Sequence, residues 1–283
     1  SVPSFREYIK CPYRFYLSKI LRLENSLDDW QEMDGRLFGN LAHEVLEEFG
    51  RCDVRDETEL KKIREFLNDE LTTRAESSFQ GSHLPAVKIQ VEQLRMRMDR
   101  FAELQAERAQ SGWRIASVEE NNKHSLMIDD QEFRISGTID RVDIHSQSGQ
   151  VEIWDYKTSD MGDGPRSVHL NRDGWKDLQL PLYRHLVKEI DVLKGADLKN
   201  ATLGYVLLPR RLDKIRFEYL QCSDGELAAA DDLVKTIVRS MRKKLYWPPK
   251  RQPPKFSEAF AGICQDSVFE RFEFEPTAGS VEK

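Results

Sequence analysis

The spacing of apolar positions divides the chain into helical and extended regions. Over residues 3–24, Phe5, Tyr8, Ile9, Tyr13, Tyr16, Leu17 and Ile20 recur at helical spacing and predict a helix that accommodates Pro12. Residues 25–35 are polar and acidic, which predicts a loop ending at Gly35. An amphipathic helix is expected over 36–49, where Leu37, Phe38, Leu41, Ala42, Val45, Leu46 and Phe49 fall three and four apart. His43 lies beside this stripe, and Gly39, one turn earlier, leaves that side of the helix open. Two long, heavily charged helices are expected over 56–76 and 84–110, joined by residues 77–83 and ended by Gly112.

Extended pattern then takes over. Strands are expected at about 113–120, 124–129, 132–142 and 151–158. The last two make a hairpin whose turn, 145–150, has Gly149 at its flexible position. Residues 159–174, rich in Gly and Asp, read as a mobile loop placed to close over a site. Helical period returns over 175–189, with the regular helix starting near Leu178 or Gln179 and Pro181 in its first turn. Strands follow at 201–208 and 214–220, then a helix over 226–245 opened by a capping box from Ser223 to Glu226. The chain from Tyr246 is Pro-rich and aromatic and is expected to pack irregularly. The order of elements predicts an α/β fold, a central mixed β-sheet flanked by helices, with an added helical lobe. One domain over 1–283 is expected, with a helical insertion at about 50–111 and the core at about 113–220.

Composition narrows the class. The 283 residues are 39% hydrophobic and 33% charged, enough for a sizeable core under a mixed-charge surface. A net charge of −6 argues against an autonomous basic nucleic-acid binder but leaves local patches open. No apolar run approaches the roughly 20 residues of a membrane span, and no signal peptide opens the chain, so no membrane partner is expected. Its first residue is Ser1, not Met, in keeping with a processed chain or a domain cut from something longer. Cys11, Cys52, Cys222 and Cys264 are widely separated, which predicts reduced thiols in a cytoplasmic protein and no zinc ribbon.

Candidate chemistry concentrates in the hairpin. Asp155 and Lys157 alternate with Tyr156, so their side chains share one face of a strand. With Asp140 from the neighbouring strand they offer oxygen ligands for a hard divalent cation, and the Tyr156 carbonyl adds another. Such an ion lowers the pKa of bound water and neutralises phosphate charge, while Lys157 holds the water or stabilises transition-state charge. Taken alone, Asp-x-Lys on a strand is more often a surface ion pair. Likewise a lone His43 is more often structural than a ligand, and Gln179 and Tyr183, four apart, are the polar edge of a helix.

Together the pieces resemble the RecB-like branch of the PD-(D/E)XK nuclease superfamily. Gly39-Asn-Leu-Ala-His43 is similar to its G-x-x-x-H motif, and Gly137-Thr-Ile-Asp-Arg-Val-Asp143 to its G-x-x-D-R-x-D motif. Asp155-Tyr-Lys157 is similar to D-x-K, and Gln179-Leu-Pro-Leu-Tyr183 to Q-x-x-x-Y. The opening Tyr8-Ile-Lys-Cys-Pro-Tyr-Arg-Phe-Tyr16 resembles the start of AddB-type nuclease domains. Each motif is weak alone; the five in order, over residues 8–183, carry the resemblance.

The resemblance implies a restriction-endonuclease-like core and a Mg²⁺- or Mn²⁺-dependent deoxyribonuclease. It assigns Asp140 and Asp155 as catalytic metal ligands, Lys157 as the catalytic lysine, and His43 as a further ligand. Gln179 and Tyr183 would organise the substrate side. Arg141 and Asp143 are expected to form an internal ion pair, and Glu119 or Glu120 to be either an accessory acid or a solvated strand edge. Some relatives hold an iron–sulfur cluster with four cysteines; only Cys11 and Cys264 stand in comparable regions, so no cluster is expected, and Phe256, Phe260 and Ile263 are candidates for pinning the termini instead.

Seven basic residues between Arg239 and Lys255, interrupted by Tyr246 and Trp247, could grip phosphates and stack a base, although a helix end with Trp247 in the core is slightly favoured. Arg210, Arg211, Lys214 and Arg216 form a second basic group. The leading expectation is an exonuclease acting on single-stranded DNA or DNA ends in recombination or repair, with DNA and a helicase subunit or domain as partners. The alternatives are a non-catalytic DNA-binding or subunit-scaffolding module, and a small-molecule phosphohydrolase.

Overall fold

The computed structural model describes residues 1–23, 33–79, 84–250 and 260–264. Its centre is a mixed five-stranded sheet formed by β1 (Trp113–Ile128), β2 (Gln131–His145), β3 (Val151–Lys157), β4 (Thr202–Leu207) and β5 (Arg216–Tyr219), in that spatial order. Only β3 and β4 run parallel; the other neighbours are antiparallel. The parallel pair requires a crossover, which α5 (Gln179–Leu186) supplies.

Two apolar cores lie against the sheet. On one side, α1 (Val2–Lys10), α5 and α6 (Asp224–Arg242) cover Ile139, Val142, Ile153, Leu203 and Tyr205. On the other, α2 (Gly35–Arg51), α3 (Leu60–Phe79) and α4 (Pro85–Gln110) cover Trp154, Tyr156, Val206 and Leu208. The alternation along β3 explains the division: Ile153 faces one core, Trp154 and Tyr156 the other. This is the α/β architecture with added helices that the pattern predicts. The Ser223 and Glu226 capping box of α6 is present in both halves. Among the described residues, no helix is long and apolar enough to cross a membrane.

Several expectations are corrected. The first helix ends at Lys10, because Cys11 is extended (φ −162°) ahead of Pro12, and the chain resumes as a short α-turn and a π-turn to Ile20. The break expected near residues 121–123 is absent. β1 is continuous through Asn121 and Asn122, which pair with Thr138 and Gly137 of a β2 that runs on to His145; cross-strand pairing overrides their weak strand preference. The segment 159–174 is built into the fold. Pro165–His169 is helical, Leu170–Asn171 pairs with Gly174–Trp175, and His169 is fully buried. Ile263, expected to pin the C-terminal segment, is half exposed, while neighbouring Cys264 is buried. Phe256 lies outside the described residues, as do most of the loop at 25–35 and residues 80–83 of the inter-helix connection.

Candidate active site

The site forms where β2 and β3 part. Their last register pair is Arg141 with Trp154. Beyond it the Tyr156 N–H donates to the Asp140 carboxylate at 2.8 Å, so a side chain replaces the next ladder bond. On the neighbouring strand, Val118 pairs with Arg141 and Glu120 with Ile139, which puts Glu119 opposite Asp140. Glu119 has a left-handed backbone (φ 49°), a region that non-glycine residues rarely occupy.

His43 comes from α2 and reaches the same point. Its Nε2 lies 3.2 Å from the Tyr156 carbonyl, and its Nδ1 lies 3.5 Å from Glu119 and 3.6 Å from Asp140. A Cβ on Gly39 would come within 3.3 Å of the Thr158 hydroxyl and meet nothing else within 4 Å, so this glycine makes room for the end of β3, not for the imidazole. Potential ligand atoms of His43, Glu119 and Asp140 all lie within 4.8 Å of one another.

Asp155 occupies the other side of the site. Its Oδ2 meets Lys157 Nζ at 2.5 Å, and its Oδ1 accepts from Gln179 Nε2 at 2.7 Å and from the Tyr183 hydroxyl at 3.3 Å. Gln179 also contacts Lys157 Nζ through Oε1 at 3.4 Å. The structure therefore puts Gln179 and the buried Tyr183 against Asp155. The tight acid–imidazole group has Glu119 where the sequence pattern gave Asp155. Of Glu119 and Glu120, it is Glu119 that turns inward; the left-handed backbone that turns it has no sequence signature.

The electrostatics are those of crowded negative charge. Asp140 is pushed up to about 8 by burial and by the charges of Asp155 and Glu119, against the opposing pull of His43. Burial works against charge on His43, but Glu119, Asp140 and Asp155 together raise it to about 9. Burial also opposes charge on Lys157, and Asp155 overcomes it, so the ammonium is held above its ordinary value. An imidazole, several carboxylate oxygens and a backbone carbonyl around an excess of negative charge fit a divalent cation with mixed oxygen and nitrogen ligation. A cleft of about 1150 Å³ opens over this group, lined by Arg6, Arg36, Gln90 and Gln93 as well as His43 and Lys157.

Arg97, which no motif or spacing marks, ties the helical lobe to this cleft. From α4 it donates to the Thr158 and Leu208 carbonyls at 2.9 Å each and to Asp160 at 2.7 Å, with its guanidinium over Phe38. The expected Arg141–Asp143 pair is present and fully buried, with Nε and Nη2 donating at 2.7 and 2.9 Å.

Several of the candidate basic residues are paired within the fold. Arg239 pairs with Asp129, Arg242 donates to the Ile128 carbonyl, Arg211 pairs with Asp213 and Arg216 with Glu218. Trp247 is 70% exposed, not in the core, and packs edge-on against Tyr13. Arg251 and Lys255 lie outside the described residues.

An open mixed sheet with helices on both faces, and carboxylates and a lysine where its central strands splay, defines a restriction-endonuclease-like α/β protein with a cation-type site. The family model of the PD-(D/E)XK nuclease superfamily matches residues 1–266, and the chain belongs to that superfamily. It is similar to an uncharacterized protein of Rickettsia conorii, 30% identical over 167 residues, which are 56% of this chain and 19% of that protein. Uncharacterized proteins of Rickettsia felis and Rickettsia bellii are each 29% identical over 160 residues, 56% of this chain and 18% of theirs. The match thus spans less than a fifth of the length of these curated relatives.

Proposed function

We propose that the protein is a Mg²⁺- or Mn²⁺-dependent deoxyribonuclease of the RecB-like, AddB-type branch, acting as an exonuclease on single-stranded DNA or DNA ends in recombination or repair. The observation that carries this reading is convergence. His43 reaches Tyr156 across 113 residues of sequence and joins Asp140 at the mouth of the cleft that Lys157 also lines. Asp140, Asp155, His43 and the Tyr156 carbonyl would hold the ion, with Glu119 as a further acidic group. The bound ion would supply Lewis-acid charge neutralisation and an acidified water.

The protein's own residues do the remaining work. Lys157 presents its ammonium to the phosphate oxygen that gains charge in the transition state. Gln179 and Tyr183 fix the Asp155 carboxylate so that both its oxygens have set directions. The long relatives favour a module within a larger assembly, and a helicase subunit or domain is the proposed partner.

The test is metal-dependent digestion of end-labelled linear and circular single-stranded DNA, with Asp155→Asn and Lys157→Met as controls. Linear strands should shorten, circles should survive, and both variants should be inactive while folded. Wild-type-like cleavage by either variant would sink the proposal.

A further inference from the structure

We propose that Tyr205 is a positioning residue that holds the Lys157 ammonium over its ring, with buried His169 fixing the tyrosine in turn. This rests on Lys157 being the working lysine of the proposed nuclease. Tyr205 stands beside Asp155 in the parallel register of β3 and β4, so it shares the face that Asp155 and Lys157 occupy. Lys157 Nζ lies 5.2 Å from its ring centroid, within the range in which an ammonium is attracted to an aromatic face.

The ring is held from behind by hydrogen bonds whose direction is forced. His169 Nδ1 lies 2.8 Å from the Asp177 carbonyl, and a carbonyl only accepts, so Nδ1 carries a hydrogen. His169 is fully buried and burial keeps it neutral, so Nε2 has a free lone pair. The Tyr205 hydroxyl, 2.6 Å from Nε2, is therefore the donor. A phenol that donates its proton gains electron density in its ring, on the face that meets the ammonium. The chain of contacts closes on itself. Asp177 Oδ1 accepts from the Gln179 backbone at 2.9 Å, and the Gln179 side chain contacts Asp155 and Lys157. Lys157 thus meets Asp155 and Gln179 through polar contacts and Tyr205 through its ring. His169, in the segment 159–174 expected to be a mobile loop, and Asp177 just beyond it instead supply this support.

The experiment compares Tyr205→Phe with Tyr205→Leu. A desolvated ammonium–aromatic contact corresponds to roughly 2- to 30-fold in rate. Tyr205→Leu should lower kcat by about that factor with KM little changed, and Tyr205→Phe, which keeps the ring, should restore most of it. A purely structural role would lower the melting temperature of both variants alike and leave kcat per folded molecule unchanged. A second readout needs no activity. In metal-free protein with ¹³C-labelled lysine, the Lys157 methylene signals, assigned by their loss in Lys157→Met, should be ring-shifted upfield in wild type and Tyr205→Phe and unshifted in Tyr205→Leu. Should Tyr205→Leu not fold, Tyr205→Leu/His169→Met removes the orphaned imidazole and takes its place. Equal kcat losses in the Phe and Leu variants, or Lys157 signals unchanged by the Leu substitution, would overturn the proposal. A wild type that cleaves no DNA but shows the ring shift would refute the nuclease reading and leave the contact supported.

Discussion

Replacing Asp143 with alanine should cost the fold about 3–5 kcal/mol, the range for breaking a buried ion pair by removing one partner. Asp143 is fully buried and accepts three charged hydrogen bonds: from Arg141 Nε at 2.7 Å, Arg141 Nη2 at 2.9 Å and Arg108 Nη2 at 2.7 Å. Arg108 keeps a second carboxylate, Glu152, at 2.6 Å. Arg141 does not. It would remain a buried guanidinium beside the Phe217 ring. Three charge-assisted bonds at about 1.5–3 kcal/mol each exceed the expected loss, because Arg108 keeps Glu152 and water can enter the space vacated by the carboxylate. At roughly 2–4 °C per kcal/mol for a domain of this size, the melting temperature should fall by about 6–20 °C. Urea unfolding followed by circular dichroism measures the difference. The double variant Arg141→Met/Asp143→Leu should be less destabilised than Asp143→Ala, since it leaves no orphaned charge. Asp143 pairs in register with Glu152, on the opposite face of the sheet from Asp155 and Lys157, so kcat per folded molecule should stay within about threefold. A loss below about 1 kcal/mol would refute the reasoning, and a loss of activity without a loss of stability would give this residue a chemical role.

Two further outcomes follow from the geometry. Asp140 (raised from 3.8 to about 8) and His43 (raised from 6.5 to about 9) both bind their protons more tightly when folded. Metal-free stability from these groups is therefore present at low pH and lost as pH rises, through roughly 4–8 for Asp140 and 6.5–9 for His43. A divalent ion replaces those protons, so Mn²⁺ should raise the melting temperature more at pH 9 than at pH 6; equal shifts would count against the site. Gly204→Ala should destabilise by about 3 kcal/mol, because its Cβ would sit 2.4 Å from the Trp154 ring and 2.5 Å from the Glu218 carbonyl oxygen; unchanged stability in thermal unfolding would contradict the packing.

What was legible in the sequence was local. The stripe from Leu37 to Phe49 lies within Gly35–Arg51, the turn at 145–150 joins β2 to β3, and Ser223 caps α6. Each depends on residues within a turn or two of one another. The illegible features depend on partners far along the chain. Asn121 and Asn122 look like a break until β2 lies beside them. Arg97 reaches Leu208 across 111 residues, and Tyr205 reaches His169 across 36. No spacing rule encodes such meetings. The left-handed turn at Glu119, at the point opposite Asp140, is equally silent in a run of ordinary polar residues.

The two cores on opposite faces of the sheet carry a consequence for how the molecule comes into being. Tyr183 and Tyr205 belong to one core, while α2, which carries His43, packs in the other. Neither half can present both groups alone. On the proposed reading, a chain emerging from the ribosome or caught half-unfolded behaves as a logical conjunction with one input missing. It holds a lysine without its imidazole, or the reverse, and the cell's own DNA is spared until both halves have closed.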